Sequence, residues 1–171
     1  MPPSAADIDQ RARAVKALLL DVDGVLTDGR VFYLGDGQEA RAFHVRDGLG
    51  VQLLGAAGIT VGILSGKQSE VVRRRAEEMG IELMLLGVED KVEAYENACK
   101  QLDCADEEVA YVGDDLPDLP LIRRSGLGLA VADAAAEVRA AAHIVLRANG
   151  GQGAVRETCE RILKAQGNWR V

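Results

Sequence analysis

Short apolar runs recur along the chain, and most are followed by a segment with helical spacing. Val15–Val22 is nearly continuous in apolar side chains until it meets acid, the composition of a strand buried on both faces. Ile59–Leu64, Glu82–Leu86, Glu108–Val112, Leu127–Val131 and Ile144–Leu146 repeat the theme. Between them the spacing predicts helices over Asp47–Ala57, Lys67–Met79, Val92–Leu102, Asp118–Arg124 and Ala134–Ala141. A last helix over Gly153–Ala165 puts Val155, Cys159, Ile162 and Leu163 on one face. Arg30–Leu34 and Gln38–Val45 flank Gly35-Asp36-Gly37 and form the exception, a β-hairpin inserted after the first strand. Strands buried on both faces need helices above and below. The expected fold is therefore α/β, a Rossmann-like doubly wound parallel sheet, in one domain spanning residues 1–171.

Composition narrows the partners. The formal net charge is -7, which argues against nucleic acid or an anionic membrane surface. An anionic substrate stays compatible, because a metal ion and a few cations reverse the sign inside one pocket. Met1–Asp7 has no basic segment leading into an apolar one, and no apolar run approaches the roughly 20 residues that span a bilayer. Cys99, Cys104 and Cys159 are odd in number and form no CxxC pair. Buried thiols in a reducing cytoplasm are the expectation.

In doubly wound folds ligands bind beyond the carboxyl ends of the strands, so the residues there carry the functional reading. Asp21 and Asp23 close the first strand, with Gly24 and Thr27 following. Two carboxylates this close need a cation beside them. A calcium loop would place glycine sixth and glutamate twelfth, whereas here glycine is fourth and Phe32 twelfth. Gly113-Asp114-Asp115-Leu116-Pro117-Asp118 follows another apolar strand, and Asp118 alone is explained as a helix cap. Together the two acidic strand ends supply the hard oxygen ligands that Mg²⁺ takes.

Ser65-Gly66-Lys67-Gln68 reads two ways. It is a capping box, with Ser65 as N-cap, or a helix N-terminus offered to a phosphate. Lys91 stands in a first helical turn, against the macrodipole, within reach of the acidic cluster. His143 is expected to be structural. His44 sits at the hairpin's exit, where Arg46 is the better candidate for gripping a substrate carboxylate.

These residues resemble the four motifs of the haloacid dehalogenase superfamily: Asp21-x-Asp23-Gly24-Val-x-Thr27, Ser65-Gly66, Lys91 and Gly113-Asp114-Asp115-x-x-Asp118. The resemblance implies a Mg²⁺-dependent phosphatase. Asp21 would be the nucleophile, and Asp23 the proton shuttle. Asp21, the Asp23 carbonyl and Asp114 would hold the metal. Ser65, Gly66, Lys67, Thr27 and Arg46 would bind phosphate or substrate, Lys91 would screen the phosphoryl group, and Asp115 and Asp118 would hold Lys91 or metal-bound waters. The short gaps between motifs imply a capless enzyme.

The hairpin after Asp28-Gly29, Phe43-x-Val45-Arg46-Asp47-Gly48 and Gly150-Gly-x-Gly-Ala-Val-Arg-Glu157 are similar to 3-deoxy-D-manno-octulosonate 8-phosphate phosphatases. That resemblance implies a cytoplasmic homotetramer with sites shared between subunits, acting on a phosphorylated sugar acid bound for lipopolysaccharide. The closing Leu163–Gly167 segment also matches, with a short tail Trp169-Arg170-Val171 after it. Lys67 and Gln152 stand where the family usually has arginine, which leaves a nonulosonate 9-phosphate as the alternative substrate. A phosphorylatable regulatory module without turnover is the alternative from another class. It fits poorly, since receiver domains carry their phosphoacceptor on the third strand and Leu85-Leu86-Gly87 has no acid.

Overall fold

The computed structural model describes residues 3–170. Strand β1 (Ala17–Leu20) is buried at every position, as an unbroken Ala-Leu-Leu-Leu run requires. Burying each leucine is worth about 1.5–3 kcal/mol. The strand pairs in parallel with β4 (Thr60–Ser65) on one side and β6 (Val109–Gly113) on the other. Beyond β4 lies β5 (Leu83–Leu86), and beyond β6 lie β7 (Leu127–Ala130) and β8 (Ile144–Val145). The order of the six strands is β5-β4-β1-β6-β7-β8. All run the same way, so Asp21, Ser65 and Asp114 come to one edge of the sheet. The chain winds outward to one side of β1 and then to the other, which puts the switch point between β1 and β6.

Seven α-helices accompany the sheet among the described residues: α1 (Ala5–Ala14), α2 (Val45–Ala56), α3 (Glu70–Met79), α4 (Lys91–Leu102), α5 (Leu119–Arg124), α6 (Ala136–Ala141) and α7 (Ala154–Ala165). The Asp47 carboxylate, within α2, accepts from the Arg156 amide at 2.8 Å and so caps the first turn of α7 from another element. The hairpin is a separate two-stranded sheet, β2 (Phe32–Tyr33) against β3 (Glu39–Ala40).

One helix was not expected, and two expectations are corrected. The helix α1 lay outside the sequence reading, although Ser4 and Asp7 form a capping box at its start. That signal was legible in Ser4-x-x-Asp7, but the polar helix hides it by burying only Ala12. The paired part of the hairpin is far shorter than Arg30–Leu34 and Gln38–Val45. Helix α3 starts at Glu70, not Lys67, so Ser65 and Gln68 form no capping box. Ser69 caps it instead through the Val72 amide, while Gln68 Nε2 donates to the Leu86 carbonyl at 3.0 Å. Binding to the end of β5 draws Gln68 away from the helix.

Cys159 is buried as expected, but Cys99 and Cys104 are half-buried; all three are free thiols. No described helix is long and apolar enough to cross a membrane. Val171 lies outside the described residues, and so do Met1 and Pro2 of the N-terminal segment. Trp169 packs back on its own chain, between Arg156 and Lys164.

Candidate active site

Asp21 follows directly on β1 and is tied to the neighbouring strand by its amide, which donates to the Val112 carbonyl at 3.0 Å. The turn after it depends on Gly24, whose φ is +91°. A Cβ on Gly24 would lie 2.1 Å from Asp114 Oδ2, so only glycine lets the two acidic strand ends meet. The late glycine segment presses on the same loop. A Cβ on Gly150 would lie 1.7 Å from the Gly24 carbonyl oxygen, and the Gly151 amide donates to the Val25 carbonyl at 2.9 Å. The expected Gly150-Gly151 motif therefore braces the loop that carries Asp21 and Asp23.

Thr27 takes a structural task in place of the substrate contact assigned to it. It is fully buried, and its hydroxyl accepts from the amides of Gly24 at 3.2 Å and Gly29 at 3.1 Å. A short polar side chain satisfies two turn amides that water does not reach.

Lys91 opens α4 with its side chain only 13% exposed and donates to Asp21 Oδ1 at 2.8 Å and Asp118 Oδ1 at 2.6 Å. A lysine in the first turn is unfavourable by itself; two carboxylates facing it offset that. Burial lowers its pKa, but the charges of Asp21 and Asp118 outweigh this and leave it raised.

Asp118 is fully engaged. Its Oδ1 also accepts from the Tyr111 hydroxyl at 2.6 Å, and its Oδ2 accepts from the amides of Asp114 at 3.0 Å and Asp115 at 3.3 Å. Burial, then the charges of Asp118 and Asp21, hold the Tyr111 phenol far above its ordinary pKa, so it stays a donor. Asp115 is exposed and accepts from the Leu116 amide at 2.8 Å, capping the short turn that follows. Asp115 and Asp118 were expected to hold Lys91 or metal-bound waters; Asp118 holds Lys91, and Asp115 makes no contact with it.

The oxygens of Asp21, Asp114 and Asp118 lie within 4.8 Å of one another. Burial and the mutual repulsion of these acids push Asp21 up to about 6 and Asp114 up to about 8. Two carboxylates that hold a proton between them at neutral pH form a site a divalent cation fits, because the cation replaces the proton and relieves the repulsion. Asp118 already spends its oxygens on four donors, which leaves Asp21 and Asp114 as the side chains free to ligate. The carboxylate of Asp23 turns elsewhere: its Oδ1 accepts from Arg41 Nε at 2.7 Å.

Ser65 is buried at the end of β4, and its hydroxyl accepts from the Lys67 amide at 3.3 Å. Gly66 and Lys67 are exposed in the loop before α3 rather than at a helix N-terminus. The charge of Lys67 is felt by Glu39 of the hairpin. Arg46 is exposed and lines a cavity of about 510 Å³ with His44, Gln152 and Arg156, so its contacts lie away from the acidic cluster. His143 is structural, accepting from the Gly128 amide at 2.8 Å. Arg41 and Tyr111 were missed. Tyr111 reads as one more apolar strand residue, and nothing in the sequence pairs Arg41 with Asp23.

Comparison with known proteins bears on this arrangement. Residues 67–157 match the family described as haloacid dehalogenase-like hydrolase. The 3-deoxy-D-manno-octulosonate 8-phosphate phosphatase of Yersinia pestis is 44% identical over 164 residues, covering 96% of this chain and 88% of that protein. Among solved structures, a probable phosphatase from Pseudomonas syringae is similar with a TM-score of 0.93 and 51% identity, covering 96% and 93% of the two chains. The octulosonate phosphatase of Moraxella catarrhalis, in complex with magnesium, phosphate and KDO, has a TM-score of 0.94 and 43% identity, covering 96% and 95%.

Proposed function

The chain belongs to the haloacid dehalogenase-like hydrolase family, and from that premise we propose that it hydrolyses 3-deoxy-D-manno-octulosonate 8-phosphate to the sugar acid and phosphate, using Mg²⁺. The observation that carries the reading is the meeting of Asp21, Asp114, Asp118 and Lys91 at the carboxyl edge of the sheet, in a chain so similar to enzymes of that name.

Asp21 attacks phosphorus in line; its oxygen forms the new O–P bond while the electron pair of the breaking bond leaves with the sugar oxygen. Asp23 gives that oxygen a proton, then takes one from the water that opens the aspartyl-phosphate. Lys91 balances charge on the phosphoryl oxygens as it builds, and its ion pair with Asp118 fixes where its ammonium stands. Ser65, Gly66 and Lys67 edge the phosphate site. When bound by Asp21, Asp114 and the Asp23 carbonyl, Mg²⁺ supplies Lewis-acid neutralisation of the phosphoryl group.

The working unit is one domain of residues 1–171 that assembles as a homotetramer in the cytoplasm, with hairpins of neighbouring subunits helping to close each site. Support for the assembly comes from Phe32, Tyr33, Leu34, Val45 and Leu49, large apolar side chains left exposed on the hairpin and the start of α2. A solution mass of four chains is expected; an active monomer overturns the shared site.

A phosphate-ester screen with Mg²⁺ tests the function. Release from the octulosonate 8-phosphate, well above that from nonulosonate 9-phosphates, is the expected result. The reverse preference overturns the substrate assignment, and stable phosphoprotein without release overturns turnover itself.

A further inference from the structure

Arg41 lies just beyond β3, in a polar stretch of the hairpin, yet its side chain is 1% exposed. Its Nε donates to Asp23 Oδ1 at 2.7 Å, and its Nη1 donates to Ser69 Oγ at 2.9 Å and to the Glu39 carboxylate. The Ser69 hydroxyl in turn donates to Glu39 and accepts from the Val72 amide, capping α3. One guanidinium thus joins the Asp21–Asp23 loop, the hairpin and the start of α3. A buried arginine keeps its charge, so this site is stable only while carboxylates remain around it.

We propose that Arg41 is a positioning residue for Asp23, fixing the carboxylate from which the leaving oxygen receives its proton. The contact uses Oδ1 alone. Among the described residues Oδ2 takes no hydrogen bond, and the side chain is 23% exposed, so one oxygen is anchored and the other is left without a protein partner. A general acid works only within about 2.6–3.2 Å of the oxygen it protonates, and a misplacement of about 1 Å costs on the order of 10²-fold. The anchor reaches Asp23 from the hairpin and α3, which makes proton delivery depend on elements outside the sheet. The inference rests on the phosphatase mechanism above.

Its test compares leaving groups in the full-length protein with Mg²⁺. Nitrophenolate leaves without a proton, whereas the alkoxide of a sugar-acid phosphate needs one. The constant kcat/KM covers the steps up to alcohol release, so later attack of water does not enter it. Arg41→Met is expected to lower kcat/KM for the sugar-acid phosphate by roughly 10²-fold and for p-nitrophenyl phosphate by less than about threefold. Arg41→Lys should recover part of the loss. Should Arg41→Met not fold, Ser69→Ala removes one anchor of the guanidinium and is expected to show the same selectivity at roughly three- to tenfold.

Equal losses on both esters overturn the positioning role and leave the phosphatase reading intact. Wild-type protein inactive on both esters overturns the phosphatase reading itself.

Discussion

Two buried cations hold the two carboxylates proposed for catalysis, and they are held on different scaffolds. Lys91 stands between Asp21 and Asp118; Arg41 stands between Asp23 and Glu39. The lysine is enclosed by the ends of β1 and β6 and the first turn of α4, in the middle of a six-stranded sheet. The arginine leans on a hairpin of two paired residues per strand, which is marginal by itself. The chemistry of the pairs is alike, so the difference lies in what fixes them. On the proposed mechanism, charge stabilisation at phosphorus is built into the sheet, while proton delivery is tied to a separate two-stranded hairpin.

Removing the proposed nucleophile breaks the comparison most severely. Asp21→Asn is expected to abolish turnover, a loss on the order of 10³-fold or more in kcat, with residual phosphate release as the readout. If activity survives, the sheet-end carboxylate is not the nucleophile.

Lys91→Met comes next. It takes a charge from the phosphoryl group and leaves Asp21 and Asp118 facing each other, so a loss of about 10²–10³-fold in kcat is expected. Its loss should be the same for alkyl and nitrophenyl phosphates, in contrast to Arg41. A leaving-group-dependent loss would collapse the distinction between the two cations.

Asp114→Asn sharpens the metal side. The folded pKa of Asp114 stands at about 8, above an ordinary value of 3.8, because of burial and the charge of Asp21. The metal-free folded protein therefore keeps a proton that the unfolded chain releases. The resulting stabilisation is present at low pH and lost as pH rises through about 8. Mg²⁺ should raise Tm more at pH 8 than at pH 5, since protons compete for the site. Asp114→Asn should flatten both the metal-free pH dependence and the Mg²⁺ response. Unchanged thermal melts in the variant would remove Asp114 from the metal site.

The smallest effect is expected at Lys67→Ala. The residue is exposed beside the hairpin, so less than about tenfold in kcat/KM is expected, carried mainly by KM. A loss matching that of Lys91→Met would mean that the loop after β4 carries part of the phosphoryl charge.

Much of this was legible in the chain. The runs of Leu18, Leu19 and Leu20 and of Val109–Val112 had no place but a buried parallel sheet, and each ended in acid. Parallel strands bring such ends to one edge, so the sequence alone pairs Asp21 with Asp114. Lys91 was visible because a first-turn lysine is unfavourable without a partner.

Side-chain targets were a different matter. Thr27 belongs to the same motif as Asp21, yet it braces two amides instead of facing the site. Ser65 and Gln68 have capping-box spacing, but Gln68 is drawn to β5 and Ser69 takes the cap. Arg46 and Arg41 are five positions apart on similar polar ground; one is exposed, the other nearly wholly buried against Asp23.

Local pattern by itself determined which segments are strands and where their ends gather, because burial of apolar runs and strand direction follow from neighbouring residues. Only the tertiary structure decided which polar group meets which. Arg41 finds Asp23 across 18 positions, and Lys91 finds Asp21 across 70. Such partners are selected by folding, which leaves each buried charge only the groups within a few ångströms to answer it.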